Sequence, residues 1–451
     1  SSQPENWKQA LAVGEQELRK ALKFGFTQAE LDEQIANSRK SMQIAVQTAE
    51  TRRTSTLARG IVGSFGGDSV FTHPSGGLER FEAFAPDITL DAVWDAFKAQ
   101  WEGAQDEPLL FLQTSLVLED PKAEIRAAYT AANAAPVTKD AATEQGAFAY
   151  TDFGTPGKVV SQRHIEDADA HLVTFENGVM LNFKHTDFAK DSINIRVEIA
   201  GGSLSIPRKD ASMQILASNL MSAGGLKAHS ADELQRLMAG KAVGAGFGFG
   251  SKAFVISGST VPSDLPDQFN LMAAQMTAPG YREEAKSRFD KYIQSWYPTL
   301  DSTPDGVASR DVGRLVHSGD PRYGIPAQSD LLGAKMEDVK AWLTPHLKDG
   351  RIEIAVVGDI DLETVIAEVA RTFGALPTRN DDVQDYPEMA KIKFPAGKTK
   401  PVTLGHSGDA NRALLQVYWP APDGTDIMRS RRLNILRSIF SNRLTDVIRE
   451  E

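Results

Sequence analysis

An Asn177-Gly178 pair between two apolar runs is the sequence feature that most constrains how this chain folds. Both residues tolerate the positive φ angles of a tight turn, so such a pair is the strongest short-range signal for a β-hairpin. Leu172 and Phe175 precede the pair, and Leu181 follows it at strand spacing. Two antiparallel strands are therefore predicted to meet at this turn.

A third strand and a helix are predicted to follow the hairpin. Residues 193–199 alternate Ile or Val with polar side chains, a pattern typical of a strand with one solvated face. Glycines at 201–202 end this strand. Apolar residues at 213–221 then recur at helical spacing, and glycines at 224–225 indicate the end of the helix. The sequence predicts an α+β fold in which a mostly antiparallel sheet packs on helices.

This order of elements resembles the opening of a domain in the pitrilysin/insulinase family of zinc metallopeptidases, whose metal-binding motif is HxxEH. In that family the helix after the glycine-terminated strand carries the motif several residues before a Gly-Thr. With that glycine aligned on Gly225, Leu216, Asn219 and Leu220 take the ligand and base positions. Zinc needs imidazole, thiolate or carboxylate ligands. The resemblance therefore implies repeated two-layer α/β sandwich domains of the pitrilysin/processing-peptidase type, with this domain a non-catalytic copy.

Composition excludes several other classes of protein. The chain has 451 residues, a formal net charge of -11 and no cysteine. An acidic chain without clustered Lys and Arg argues against nucleic-acid binding but tolerates cationic peptides. The absence of cysteine excludes disulfides and thiolate metal sites. No apolar run reaches the length of about 18 residues that indicates a membrane span.

The N-terminal part of the chain is predicted to be helical. Residues 1–60 have helical periodicity, and Thr27 with Glu30 forms the pattern of a capping box. A second cap is predicted at Thr89, and a buried strand at 109–118. These elements resemble the end of the second domain in the same family, although plain helical hairpins produce a similar pattern.

The glycine-rich segment 244–250 invites comparison with a nucleotide-binding loop. Such a loop needs a strand before it and a helix after it, whereas here a helix is predicted before it and a strand after it. We interpret the segment instead as a strand with one bare face and with Phe247 and Phe249 on the other.

A helix at 336–347, a strand at 351–357 and a second helix ending near Phe373 follow later in the chain. This order, with Val-Gly-Asp between strand and helix, resembles the closing elements of the odd-numbered domains of the family. Asp359 and Asp361 are interpreted as turn and helix cap rather than as metal ligands, because an aspartate at this position satisfies free backbone N–H groups.

The C-terminal residues resemble the opening of the family's fourth domain, with a strand at 413–420 and a helix from 427 onward. Arg449 coincides with an arginine that, in relatives, binds substrate and stabilises the developing oxyanion together with a tyrosine seven residues later. The sequence stops at Glu451, before that tyrosine. An ordinary surface charge is the alternative interpretation of Arg449.

The resemblance implies the following organisation. The chain holds the C-terminal part of domain two at 1–130, a linker at 131–167, the inactive domain three at 168–380, a linker at 381–411 and the N-terminal part of domain four at 412–451.

Two incomplete domains in one chain would each expose an apolar face. The strand predicted at 413–420 is therefore expected to pair with the strand predicted at 109–118. The pairing would occur within one chain, or in a dimer formed by exchange of the two halves.

By this resemblance, the chain is expected to be the chamber-forming, peptide-binding portion of a zinc-dependent metalloendopeptidase. The zinc and the HxxEH motif would lie in an N-terminal half, and the peptide substrate would be held by edge-strand addition. The alternative is an inactive partner subunit of a separate catalytic chain. The eight histidines, none within five residues of another, are interpreted as lone surface residues, so this segment alone is expected to bind no zinc and to hydrolyse no peptide. A periplasmic location is favoured.

Overall fold

The computed structural model describes residues 2, 4–67, 69–101, 109–139, 146–380, 385–397 and 400–450. The chain forms two compact units, the first comprising 1–298 with 326–391 and the second 299–325 with 392–451.

The first unit begins with six helices. They are α1 (Trp7–Phe24), α2 (Gln28–Gln47), α3 (Thr54–Phe65), α4 (Pro74–Phe84), α5 (Leu90–Trp101) and α6 (Pro121–Ala134). The capping box predicted for α2 is confirmed. Thr27 Oγ1 accepts a hydrogen bond from Glu30 N at 3.3 Å, and the Glu30 carboxylate accepts one from Thr27 N at 2.7 Å. The predicted cap at Thr89 is also confirmed, since its hydroxyl accepts a hydrogen bond from Ala92 N.

A seven-stranded sheet forms the centre of the first unit. Its strands are β1 (Val159–Ile165), β2 (Ala170–Phe175), β3 (Met180–His185), β4 (Ile193–Ala200), β5 (Gly246–Phe249), β6 (Ala253–Thr260) and β7 (Ile352–Gly358). The spatial order is β1-β2-β3-β7-β4-β6-β5. The pairing of β3 with β7 is parallel, and all other pairs are antiparallel. The predicted mixed architecture with a mostly antiparallel sheet is confirmed.

The hairpin predicted at Asn177-Gly178 joins β2 to β3. Gly178 has φ of 87°, a left-handed conformation that glycine adopts at little cost. The Asn177 side chain accepts a hydrogen bond from Val179 N at 3.2 Å and donates one to Phe373 O at 2.9 Å. Asn177 therefore also connects the hairpin to the backbone at Phe373, much later in the chain.

The remaining helices follow the hairpin in the sequence. They are α7 (Ala211–Ala223), α8 (Ala231–Leu237), α9 (Leu265–Thr277), α10 (Glu283–Trp296), α11 (Pro304–Val316), α12 (Gln328–Gly333), α13 (Met336–Asp349), α14 (Leu362–Arg371), α15 (Pro387–Ala390) and α16 (Ile427–Thr445). Helices α7, α9, α13 and α14 contact one face of the sheet, and α10 and α12 pack on α7. Among the described residues, no helix combines the length and apolar character required to cross a membrane.

The core lies between the sheet and this helical layer. Along β4, Ile193, Ile195, Val197 and Ile199 are buried, whereas the other face of the strand carries exposed or half-buried residues. Helix α14 begins at Asp361, whose carboxylate accepts a hydrogen bond from Thr364 N at 2.7 Å. The predicted role of Asp361 as a helix cap is confirmed.

Helix α2 docks onto the sheet-containing part of the first unit through polar contacts. Lys40 Nζ lies 2.8 Å from Asp264 Oδ2, and Asn37 Oδ1 accepts a hydrogen bond from Gly240 N at 2.8 Å. Because the side chain of Asp264 is largely buried, this ion pair is screened less by solvent than a surface pair.

The second unit contains α11 and α16. Arg310 of α11 donates a hydrogen bond to Asp301 at 2.7 Å and also bonds Asp311. The rings of His317 and Tyr323 stack with their centroids 3.5 Å apart. Along α16, the apolar side chains are exposed, including Leu436 and Phe440.

Two predicted strands are wrong. Residues 109–118 and 413–420 form no strand, and Phe111 and Leu415 are each 89% exposed. Both segments have the composition of a strand, but a strand is stable only when a neighbour satisfies its backbone groups. Their predicted pairing within one chain is therefore wrong, and the exchanged dimer stays a prediction. Strand β1 lies inside the predicted linker at 131–167.

Candidate functional site

Helix α7 carries the three residues that the sequence comparison placed at the motif positions. Leu216 and Leu220 are buried in the core. Asn219 is half-buried, and its Oδ1 has no hydrogen-bond partner in the described part of the chain. Leucine has no donor atom for a metal, so these positions do not fit a zinc ion. The helix packs as a structural element of the domain.

No three His, Asp or Glu side chains elsewhere in the described ranges are arranged to hold a metal ion. However, the interpretation of the histidines as lone surface residues is wrong for His229, which is 8% exposed, and for one neighbouring pair. His164 on β1 lies directly opposite His171 on β2, with ring centroids 4.7 Å apart. His164 Nε2 lies 3.1 Å from Asp169 Oδ1. Separation along the sequence conceals such cross-strand neighbours, because register is set by the sheet.

Arg449 lies in the helical turn Asp446–Glu450 of the second unit and is exposed. The structure places no other predicted site residue in this unit. The substrate-binding role of Arg449 stays a prediction.

The first unit contains an apolar pocket at the C-terminal end of α7. Its volume is about 240 Å³. Helices α8 and α9 and the segment 243–245, which leads into β5, form the other walls. The residues that line it include no charged side chain; the larger apolar ones are Met221, Leu226, Leu234, Met238, Val243 and Leu271. The environment suits an uncharged apolar group.

A glycine at the end of α7 shapes one wall of the pocket. Gly225 has φ of 64°, and a β-carbon there would lie 2.5 Å from the backbone oxygen of His229. A side chain at this position is therefore excluded by both conformation and space. The glycine that the sequence identified as a helix stop is also required for the tight turn into α8.

Two buried side chains fix the segment that leads into β5. Asp264 Oδ2 accepts a hydrogen bond from Ala242 N at 2.6 Å. Gln268 accepts one from Gly244 N at 2.9 Å and donates one to Gly244 O at 2.7 Å. This wall of the pocket is consequently held in place before any ligand arrives.

Buried polar atoms without a partner cluster in this part of the sequence. Among the described residues, Asn219 Oδ1, Gln275 Oε1, Tyr281 Oη and Arg282 Nε lack a hydrogen-bond partner. Burial raises the pKa of Tyr281. Such atoms are uncommon in folded proteins and call for an explanation, which a ligand can supply.

Gln275 is the pocket residue that the sequence interpretation missed. It is 6% exposed and lines the pocket, and its Nε2 donates a hydrogen bond to Met221 O at 3.2 Å. The available signal was a glutamine within the otherwise apolar run 271–276 of α9. Buried polar residues of this kind are found disproportionately where structure or binding requires them.

Within the described part of the chain, the sheet ends in two edge strands, β1 and β5, each paired on one side only. Strand β1 has an irregular register between Val159 and Ser161, a feature that discourages addition of another strand. Strand β5 is short and regular, pairing with β6 from Gly246 to Phe249. The predicted strand in the glycine-rich segment is confirmed, with Phe247 and Phe249 packed against Phe254. The free edge of β5 adjoins the pocket through Ala245.

The chain is similar to known proteins both in sequence and in structure. Residues 334–451 match the family model described as "Peptidase M16 inactive domain". The chain is similar in structure to a mutant of the ferredoxin protease FusC in complex with Arabidopsis ferredoxin, at 14% identity and a TM-score of 0.52 over 85% of this chain and 43% of that chain. The periplasmic protease PqqL from Escherichia coli matches at 16% identity and a TM-score of 0.49, over 83% of this chain and 42% of that chain. No curated protein sequence gives a significant match.

The chain thus spans less than half the length of these two proteases. The similarity to FusC establishes the fold, and the family match covers the C-terminal quarter of the chain. Together they confirm the resemblance to the C-terminal, non-catalytic part of a peptidase of this family.

Proposed function

We propose that this chain is the non-catalytic, peptide-holding portion of a zinc-dependent metalloendopeptidase. The observation that supports the proposal is the burial of Leu216 and Leu220 on α7, because the family resemblance, with Gly225 aligned, assigns these positions to metal ligands. A domain with this fold and no metal ligands on that helix retains the surfaces of a peptidase without its chemistry. Its contribution is to enclose and position the peptide while zinc, held by an HxxEH motif elsewhere, polarises the scissile carbonyl.

Peptide binding would use the free edge of β5. An extended peptide adds to such an edge through main-chain hydrogen bonds, which give affinity without requiring a particular sequence. Glycines at 244, 246 and 248 leave one face of this segment without side chains, so a peptide backbone can approach closely. The net charge of -11 favours cationic peptides over acidic ones.

The alternative is an inactive subunit that pairs with a separate catalytic chain. The missing metal ligands are expected both for one half of a single-chain enzyme and for a separate inactive subunit. The exposed apolar side chains of α16, such as Leu436 and Phe440, could contact another protein surface in both arrangements. The reading frame that precedes residue 1 distinguishes them. An HxxEH motif in that frame indicates a single-chain enzyme, and a frame that lacks the motif indicates a partner subunit.

Peptide binding by the β5 edge can be tested by fluorescence anisotropy with a labelled, extended peptide of uncharged β-forming residues. We expect saturable binding that weakens at least tenfold when alternate peptide amides are N-methylated, because methylation removes the donors that pair with a strand edge. Equal binding of the methylated and unmethylated peptides would rule out edge-strand addition.

A further inference from the structure

We propose that the apolar pocket beside β5 is a specificity subsite that accepts one aromatic side chain bearing an N–H or O–H donor, with tryptophan preferred, from a peptide extended along this edge. This inference rests on the proposed function, since it assumes that the ligand is a peptide on β5. It adds the class of residue that the surface selects.

The pocket lies next to the edge strand β5. Ala245 lines the pocket and immediately precedes Gly246, the first residue of β5. Helix α7, which forms another wall, packs against β5. Side chains of an added strand point alternately to the two faces of the sheet, so one of them is directed toward the helical layer at this end of β5. The pocket lies in that layer.

Size favours a large side chain. A cavity of about 150 Å³ lined by apolar side chains holds a benzene molecule. The volume here is about 240 Å³, which is sufficient for a ring larger than benzene. Small aliphatic side chains would leave part of the wall without contacts, and an unfilled apolar cavity forfeits dispersion energy.

The unpartnered oxygen of Gln275 favours an aromatic peptide side chain that carries a hydrogen-bond donor. Gln275 Nε2 is engaged by Met221 O, whereas Gln275 Oε1 has no partner among the described residues. Buried indole N–H and phenol O–H groups usually find an acceptor. Ser222 and Gln235 also line the pocket, but of these three polar residues only Gln275 has a buried side-chain atom without a partner among the described residues. Indole is a donor only, and therefore matches this carbonyl oxygen. Phenylalanine fills the same space without satisfying Gln275.

The experiment uses three labelled peptides that differ only at a central position occupied by tryptophan, phenylalanine or alanine. Binding to the full chain is measured by fluorescence anisotropy. We expect the tryptophan peptide to bind at least tenfold more tightly than the alanine peptide and a few-fold more tightly than the phenylalanine peptide. Equal affinities for all three, or no binding of any, would overturn the proposal.

Two variants localise the effect. Ala245→Leu extends a side chain into the pocket and should reduce the tryptophan advantage over alanine to less than twofold. Gln275→Met keeps the volume but removes the acceptor, so it should abolish the preference for tryptophan over phenylalanine while both still exceed alanine. Ala341→Leu on the exposed side of α13 is the matched control and should change neither ratio. Retention of both preferences in the two pocket variants, with circular dichroism unchanged, would contradict the assignment.

N-methylated versions of the same peptides separate this inference from the proposed function. If methylation weakens every peptide equally and the central residue has no influence, edge pairing stands and the subsite is wrong. If methylation has no effect but Ala245→Leu removes the tryptophan preference, the pocket binds the tryptophan side chain but the peptide does not pair with β5, and edge-strand addition is wrong.

Discussion

Replacement of Arg379 by alanine should strongly destabilise the first unit. The side chain is 6% exposed and crosses to the C-terminal end of α13, where it donates hydrogen bonds to Leu347 O at 2.8 Å, to Gly350 O at 2.9 Å and to Lys348 O. Its backbone N–H also donates to Asn177 O at 2.8 Å, next to the hairpin turn. One residue thus joins the helix end to the hairpin.

The expected loss of unfolding free energy can be worked out from the three carbonyl groups that lose their hydrogen bonds to Arg379. The bond to Leu347 O is buried, and leaving a buried acceptor unsatisfied costs about 1–3 kcal/mol. The other two carbonyl bonds are partly buried, and each loses a net bond of about 1 kcal/mol as water replaces the guanidinium. The total loss is about 3–5 kcal/mol, a large part of the about 5–15 kcal/mol that stabilises a typical domain. Burial lowers the pKa of Arg379 to about 10, against the opposing effect of Asp349, so the side chain remains charged at neutral pH.

Urea unfolding followed by far-ultraviolet circular dichroism measures this loss. Arg379→Lys should recover part of the stability, because an ammonium group can still donate to some of the carbonyls. The exposed Arg163 of β1 provides the control, and Arg163→Ala should change the unfolding free energy by less than about 0.5 kcal/mol. A loss below about 1 kcal/mol for Arg379→Ala would mean that these hydrogen bonds contribute little to the stability of the first unit.

Two further predictions concern pH and metal. Burial raises the pKa of Asp264, but hydrogen bonds from Lys40, Ala242 and Ser263 outweigh it, so the pKa lies below the ordinary 3.8. The stability that ionised Asp264 provides should therefore be present above about pH 4 and be lost as the pH falls further. The measurement is the difference in Tm between wild type and Asp264→Asn by differential scanning fluorimetry. This difference should become smaller as the pH falls below about 4. A Tm difference that does not change between pH 7 and pH 3 would contradict this. Because α7 has no metal ligands, chelator-treated protein should take up less than stoichiometric zinc in metal analysis, whereas tight one-to-one binding would overturn that expectation.

Local sequence patterns predicted most of the central domain correctly. The Asn177-Gly178 turn, the alternation along 193–199 and the caps at Thr27 and Asp361 depend on interactions within a few residues, and each was confirmed. Such signals do not depend on the remainder of the fold. Their success explains why the order of elements was sufficient to identify the family resemblance.

The failures share a dependence on distant partners. Residues 109–118 and 413–420 look like strands, yet neither is one, because composition cannot supply a neighbouring strand. Strand β1 was missed for the opposite reason. Its exposed, partly polar residues show little alternation, but pairing with β2 makes it a strand.

Site features were harder to predict than secondary structure. That β7 lies between β3 and β4 follows from long-range topology, and the contact between His164 and His171 follows from sheet register. The pocket near Gln275 likewise requires three helices and a segment before β5 to converge. By contrast, side-chain chemistry alone showed that Leu216 and Leu220 cannot bind a metal ion.

The proposed function requires that this chain hold peptides without cleaving them. In the most direct test, the purified chain is incubated with zinc and the labelled tryptophan peptide. Binding is followed by fluorescence anisotropy, and the mass of the peptide in the same samples is determined by mass spectrometry. We expect saturable binding, with the peptide intact after prolonged incubation. Cleavage products that persist through extensive purification, or the absence of any binding, would contradict it.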